Sequence, residues 1–223
     1  MIAGLSSRVR DLWTDTRGVA ATEFAIVMPF MLVLYVGGVE LGNGLAMSVK
    51  VSQTAHSVAD MVSQNTQVTA SQMQSILQAS TAIMAPYPVA DGNGVSLMTI
   101  TISEVSTDSS GNATVQWSKS TSSSGARPVG QQMTLSSFTA PDPNNPNNSN
   151  NANISLILGE VSYAYTPNLG YSISGTVTLS DSYYLFPRCS TNSPSTSSFP
   201  YYDVKYPATA TCTCIQHLQQ KTC

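Results

Sequence analysis

Two sets of residues in the chain carry side chains that could do chemistry. The first is Glu23, a single carboxylate at the start of a long apolar run. A charged residue costs about 2.5–3.5 kcal/mol at the centre of a membrane-spanning helix and less near its end, so Glu23 indicates a specific role, such as charge pairing in a low-dielectric setting. The second set is the four cysteines of the C-terminal tail: Cys189, Cys212, Cys214 and Cys223.

The cysteine spacing favours disulfides over a zinc site. An even number of cysteines clustered in one exported segment is typical of a disulfide framework. Cys212 and Cys214 are separated by a single residue, whereas zinc-binding pairs are commonly separated by about two to four. Because a bond between these two would be strained, we expect each to pair with Cys189 or Cys223, and the connectivity stays open.

The remaining residues form no recognisable catalytic motif. His56 and His217 are far apart in the sequence, and the acids beyond the apolar run are scattered among predicted turns and strands. The segment Gly92-Asn93-Gly94 indicates a turn rather than a phosphate-binding loop. The sequence therefore predicts no enzyme, no metal and no cofactor, with an exported enzyme as a minor alternative.

Composition indicates an exported protein. Of the 223 residues, 42% are hydrophobic and 9% are charged, whereas charged residues make up about 25% of ordinary soluble domains. Serine, threonine and asparagine replace the missing charges. The formal net charge is −3 and no Lys/Arg cluster follows the apolar run. Nucleic-acid binding is not expected, since neutralising phosphates requires a basic face.

The apolar run has the length of a membrane span. Residues Phe24 to Leu41, with Val19 to Ala21 before them, can cross a hydrocarbon core of about 30 Å as a helix. Glu40 lies near the far end, where we expect its carboxylate at the water boundary. Three arginines precede the run and Lys50 alone follows closely, which places the N-terminus in the cytoplasm and exports the remainder.

Two plainer interpretations of the run remain open. A cleaved secretory signal peptide would use the small residues of Gly44-Leu45-Ala46, but the run exceeds the signal core of about 7–15 residues, and an acid inside its edge has no use there. An uncleaved anchor explains the length of the run but does not explain Glu23.

The string Gly18-Val19-Ala20-Ala21-Thr22-Glu23-Phe24 resembles the cleavage motif of type IV prepilin-like proteins. In that family a peptidase cuts after the glycine, and a glutamate followed by an aromatic residue stands at the fifth mature position. Counted from Val19, Glu23 is fifth and Phe24 is sixth. With Arg17 before the glycine, the motif is most similar to TadE-type minor pseudopilins of the tight-adherence (Flp) pilus. Residues Val177 to Arg188 look like the family's closing strand, whereas the Asn-rich insert and the cysteine tail depart from it.

The resemblance implies a minor pseudopilin, a structural and assembly component that a prepilin peptidase processes between Gly18 and Val19. Glu23 would pair with the N-terminal amine of a neighbouring subunit and set axial register, a passive interfacial glutamate being the alternative. The implied partners are the inner membrane, the peptidase, other pilin or pseudopilin subunits and the assembly platform. The implied location is the bacterial inner membrane, with a cytoplasmic N-terminus, a periplasmic C-terminal domain and incorporation into an extracellular pilus. The alternative function is a membrane-anchored surface adhesin or binding module.

Periodicity predicts an α+β fold. Apolar spacing of three and four residues predicts a first helix over about residues 22–64 and a second over 70–84, capped by Thr69 and Gln72. Alternation then predicts four strands of an antiparallel sheet with helices on one face, near residues 98–102, 115–117, 161–165 and 173–179. The tail from Ser190 is expected to be loop-like.

These patterns divide the chain into five segments. Residues 1–18 form a cytoplasmic leader and 19–45 a transmembrane helix. Residues 46–85 form an exported helical region, 86–188 an antiparallel sheet domain and 189–223 the cysteine-containing tail. Within the sheet domain, residues 140–153 are rich in Asn and Pro and are expected to form a flexible loop, because such a composition cannot fill a core.

Overall fold

A computed structural model describes residues 18–108, 111–135, 154–167, 175–188, 204–215 and 220–222. The first element is a long helix, α1, over Val19–Ser63, with Pro29 inside it. It begins three residues before the predicted start and ends one residue before the predicted end. By its internal contacts the chain divides into two compact units, and α1 enters the second unit at Leu45.

The second helix, α2, spans Ala70–Thr81 and continues as a 3-10 turn over Ala82–Met84. The predicted cap is present, since the Thr69 hydroxyl accepts a hydrogen bond from the Gln72 N–H at 3.2 Å. The helical stretch ends at Ala85, which is extended with φ −52° and ψ 138°. A residue before proline favours this conformation, and Pro86 follows.

An antiparallel five-stranded sheet forms the centre of the second unit. Its order is β4-β3-β2-β5-β6, and the four predicted strands are confirmed as its four longer members. Gly175, predicted inside the last strand, instead lies at a bend before it with φ +102°, while Ile173 is outside the described residues. The strand bounds are β2 Met98–Thr107, β3 Ala113–Ser120, β4 Gln132–Met133, β5 Ser155–Tyr165 and β6 Val177–Leu185.

The main core lies between the two helices and one face of this sheet. Gly159 on β5 allows the closest approach, because a Cβ atom there would lie 2.5 Å from the Ala55 carbonyl oxygen of α1. Buried positions recur along α1 at intervals of three and four residues, and alternate residues of β2 and β5 complete the core. The fully buried contributors include Val58, Val62, Met73, Ile100, Ile102 and Ile157.

The opposite face of the sheet, here called the outer face, carries a second and smaller core. Val105, Val115 and Leu158 are buried there with Ala113. Met133, Leu135 and Tyr184 pack against them as partly buried neighbours. The apolar cover therefore occupies only one end of the outer face.

The tail contains strands, so the expectation of a loop-like tail is wrong. Strand β1 (Asn65–Gln67), just after α1, pairs with β7 (Cys212–Ile215), which pairs with β8 (Gln220–Thr222), all antiparallel. On the other side of β1, the Lys205 N–H donates to the Thr66 carbonyl at 3.0 Å. The pairing satisfies backbone groups of two segments far apart in sequence, which local patterning of the tail does not show.

Candidate functional site

The predicted cleavage segment lies at the start of α1 and is open on all sides that the structure describes. Gly18 immediately precedes the helix, and no atom lies within 4 Å of the position a Cβ would take there. Val19 is the first helical residue, and its carbonyl accepts a hydrogen bond from the Thr22 hydroxyl at 2.8 Å. The peptide between Gly18 and Val19 is thus positioned outside the packed part of the fold.

Glu23 and Phe24 lie one turn into the helix, and both are exposed. The exposed fraction of Phe24 is 64%. Val19 and Glu23 are four residues apart, so they occupy the same side of the helix one turn apart. The structure therefore places Gly18 just before α1 and Val19, Glu23 and Phe24 within its first two turns, all of them accessible.

The helix beyond this turn is apolar and uncovered. It is long and apolar enough to cross a membrane, with a mean hydropathy of 2.0 over an 18-residue window of which 6% is buried. Large contiguous apolar surfaces on a protein mark contact with a membrane or another protein. The exposed large side chains include Ile26, Phe30, Val33, Leu34 and Tyr35.

Glu40 differs from the expectation of a solvated carboxylate at the water boundary. It is 5% exposed, in a helical stretch whose other residues are mostly exposed. A buried carboxylate requires a polar partner to offset its desolvation, and Glu40 does take part in such an interaction. The spacing of the neighbouring apolar residues could not predict this burial.

The two stretches that resemble the prepilin-like family are joined in the second unit. Arg188, just after β6, forms an ion pair with Asp60 near the end of α1, and its N–H donates to the Ser63 carbonyl at 2.8 Å. One helical turn earlier, the rings of His56 and Tyr183 meet edge to face with centroids 4.5 Å apart. The closing strand therefore fixes the C-terminal end of α1.

Residues 18–60 match the family model described as TadE-like protein. The similarity to TadE-like proteins is therefore confined to α1 and the glycine before it. The matched segment begins at Gly18 and ends at Asp60, so it contains the predicted cleavage position, Glu23 and the ion-pairing residue near the end of α1. Neither a curated protein nor a solved structure matches the chain.

The TadE-like match over residues 18–60 links this segment to proteins of the tight-adherence (Tad) pilus. This family is a structural family rather than an enzyme family. The apolar first half of α1 agrees with membrane association. Among the described residues, no group of three or more His, Cys, Asp or Glu side chains could hold a metal ion.

The cysteines lie outside the TadE-like segment. Cys212 and Cys214 are both on β7, two residues apart and hence on the same side of the strand, and Cys212 is 1% exposed. Cys189 and Cys223 are outside the described residues. The disulfide pairing therefore stays a prediction.

A buried carboxylate, Glu104, was not singled out by the sequence. It is 2% exposed and accepts hydrogen bonds from Trp117 Nε1 at 2.6 Å, Ser155 Oγ at 2.7 Å and the Val204 N–H at 2.9 Å. Trp117 Nε1 also donates to the Val204 carbonyl at 2.7 Å. Glu104 thus joins the sheet to the tail, and its alternation with Ile100 and Ile102 could have indicated that it faces the core.

A second ion pair that the sequence did not reveal lies on the outer face. Arg127 Nε donates to Glu160 Oε2 at 2.8 Å, and Nη2 donates to the other carboxylate oxygen, so the pairing is bidentate. The hydrogen bond to Glu160 raises the pKa of Arg127. Burial, with a smaller effect of Glu160, raises the pKa of Tyr184.

Proposed function

We propose that the chain is a minor pseudopilin of the tight-adherence pilus that a prepilin peptidase processes between Gly18 and Val19. The observation that supports it best is that the first two turns of α1 are accessible and begin an uncovered apolar helix. These turns contain Val19, Glu23 and Phe24, and Gly18 immediately precedes them. The same segment is the one that matches the TadE-like family. The leader would be residues 1–18, and α1 would begin the mature protein.

The geometry of Gly18 suits a protease substrate. A glycine gives the backbone freedom to lie extended in a cleft, and the absence of a side chain leaves the peptide bond approachable. Hydrolysis of the bond after Gly18 would place a new amine on Val19, the first residue of α1. That amine would lie one turn below the Glu23 carboxylate on its own helix.

Glu23 would then pair with the amine of a neighbouring subunit. Its side chain is exposed on the helix, so the partner must come from outside the described fold. In a low-dielectric environment two opposite charges each reduce the other's desolvation cost, which makes the pairing sensitive to the axial position of the subunits. The N-terminus would lie in the cytoplasm and the second unit in the periplasm, because the basic residues precede the span.

A substitution of Gly18 tests the processing step. We expect Gly18→Val, co-expressed with a prepilin peptidase, to remain uncut while the parent chain loses its leader, as read by intact mass. Gly38→Ala is the matched control, because Gly38 also has open surroundings but lies beyond the proposed site. Equal processing of Gly18→Val and the parent would contradict the assignment.

A substitution of Glu23 tests the register role separately. Glu23→Ala should still be cut but should reduce the number of pili that contain the protein, measured by immunoelectron microscopy of sheared fibres. Thr22→Ala is the neighbouring control and should assemble normally. Normal assembly of Glu23→Ala would leave Glu23 as a passive interfacial residue.

We also propose that the tail is closed by disulfides that involve Cys212 and Cys214. The position of Cys212, buried on β7 beside the segment after α1, fits a bond that holds the tail to the fold. A thiol count on the denatured, unreduced exported protein should find almost no free thiol. Four reactive thiols would contradict this proposal without touching the processing proposal.

A further inference from the structure

A groove of about 650 Å³ lies on the uncovered end of the outer face. Its floor consists of two rows of residues that cross β2, β5 and β6. One row is Thr101, Glu160 and Ser182, and the other is Thr99, Ser162 and Ser180. The loop from Ser124 to Pro128 forms one wall. Every lining residue belongs to the second unit and lies within the described part of the chain.

The floor presents hydroxyl groups that the fold does not use. Within the described residues, the side chains of Ser162, Ser180, Ser182 and Thr99 make no hydrogen bond. By contrast, the Thr101 hydroxyl is engaged with Ser120 and with the Gly125 carbonyl. Each free hydroxyl can both donate and accept. The groove therefore offers a row of donor and acceptor hydroxyls, next to the apolar lining residues Ala126 and Pro128.

The charged groups of the groove are fixed and nearly balanced. Arg127 reaches from the wall to Glu160 on the floor, and this bidentate pair holds both side chains in place. Asp181 lies between Ser180 and Ser182 on β6, so strand alternation places its side chain on the opposite face of the sheet. The paired charges of Arg127 and Glu160 therefore leave no surplus positive charge for an anionic ligand. The guanidinium retains N–H donors, and the Glu160 oxygens retain lone pairs, for a ligand.

We propose that this groove binds a neutral oligosaccharide. A polyhydroxylated chain matches a floor of hydroxyls flanked by a fixed Arg–carboxylate pair, because each of its hydroxyls also donates and accepts. The groove volume lies within the range of about 300–1,000 Å³ that is typical of small-molecule sites. A lipid tail would bury the floor hydroxyls without hydrogen-bond partners, which is unfavourable, and the single cation of the groove, Arg127, is already paired with Glu160, which disfavours a phosphate or a uronic acid. This binding is independent of cleavage at Gly18.

The test uses the full-length protein in a detergent that has no sugar headgroup. Maltohexaose, cellohexaose, mannohexaose and chitohexaose are titrated calorimetrically to about 10 mM, tenfold above a millimolar Kd. We expect saturable binding of at least one of them, and at least about tenfold weaker binding to the double variant Ser162→Ala/Ser180→Ala. Ser123→Ala, on the exposed wall loop outside the groove, is the matched control and should bind like the parent.

Several outcomes would overturn the proposal. Binding of none of the four sugars, equal binding by the double variant, or preferred binding of a polyuronate or of inorganic phosphate would each do so. The same holds if a neutral serine-rich peptide binds more tightly than the sugars. Thermal unfolding of each variant, compared with the parent, ensures that any lost binding is not lost folding.

Discussion

The two halves of α1 have opposite surroundings. From Val19 to Gly44 the helix exposes nearly all of its large apolar side chains, for example Phe30 at 69% and Leu34 at 75%. From Val51 to Ser63 most of its apolar residues are buried, with Val58 and Val62 at 0%, whereas Leu45 and Val49 just before this stretch are still exposed. One continuous helix therefore has a half that packs into the core and a half that the described fold leaves uncovered.

This difference explains why the two halves have different sequence patterns. In the second half the buried positions Val51, Ala55, Val58 and Val62 follow the three- and four-residue spacing of an amphipathic helix. The first half is apolar on every side, which is typical of a helix surrounded by lipid or by other apolar helices. The TadE-like match over residues 18–60 spans both halves.

A charged substitution in each half of α1 should give the largest difference in effect between the two halves. Val58→Asp would put an unpaired carboxylate in the core and should destabilise the second unit by more than about 4 kcal/mol. Val33→Asp, at a position that is 72% exposed, should leave that unit folded but cost about 2.5–3.5 kcal/mol in membrane insertion. Limited proteolysis reports folding, and alkaline extraction of membranes reports insertion. Similar phenotypes for the two variants would contradict the division.

The packed half depends on a sheet whose connection to the tail passes through Glu104. Glu104→Gln replaces one acceptor oxygen with an N–H₂ group that faces either the Trp117 donor or the Ser155 and Val204 donors, so we expect a loss of about 2–4 kcal/mol in the free energy of unfolding. Urea denaturation measures it. The control is Glu160→Gln, in the half-exposed pair with Arg127, which should cost no more than about 1 kcal/mol. Equal losses would remove the special role of Glu104.

Two glycine-to-alanine substitutions should also have different effects on stability in the packed and the uncovered half. Gly159→Ala brings a Cβ to 2.5 Å from the Ala55 carbonyl oxygen of the packed half and should destabilise the fold by about 1–3 kcal/mol. Gly38→Ala lies in the uncovered half with nothing within 4 Å and should be neutral or stabilise the helix by up to about 1 kcal/mol. Thermal unfolding distinguishes them. A neutral Gly159→Ala would mean that α1 lies further from β5.

The smallest expected effect is a loss of stability in alkali, confined to the packed unit. Burial raises the pKa of Tyr163, Tyr184 and Tyr206 above the ordinary value of about 10. Because the unfolded chain loses these protons first, stability is fully present below pH of about 10 and falls as the pH rises further. Denaturation midpoints from pH 8 to 11 measure the slope. Tyr163→Phe should flatten it, and an unchanged slope would exclude Tyr163 as a contributor.

Local patterns predicted the elements that local interactions determine. The two helices, the Thr69 cap and the four longer strands follow from spacing, and the predicted turn at Gly92-Asn93-Gly94 is closed by a hydrogen bond from the Gly94 N–H to the Asp91 carbonyl. Long-range pairings were not predictable in the same way. The strands of the tail and the Arg127–Glu160 pair each depend on a partner that is distant in sequence.

For the candidate site, too, local features were predictable from the sequence and long-range contacts were not. The accessible start of α1 at Gly18 could be predicted because its residues lie within seven positions of the sequence. The joining of Asp60 to Arg188 could not, although the two stretches were each recognisable, because no sequence feature states which strand meets the end of α1. The groove on the outer face could not be predicted either, because its floor combines residues of three strands.

The most direct test of the pseudopilin proposal is the N-terminus of the mature protein. The full chain, purified from membranes of cells with and without a prepilin peptidase, is digested and its first peptide identified by mass spectrometry. We predict a chain that begins at Val19 when the peptidase is present and an intact leader when it is absent. A mature chain that begins at Met47 or Ser48, or an intact leader in both strains, would contradict the proposal.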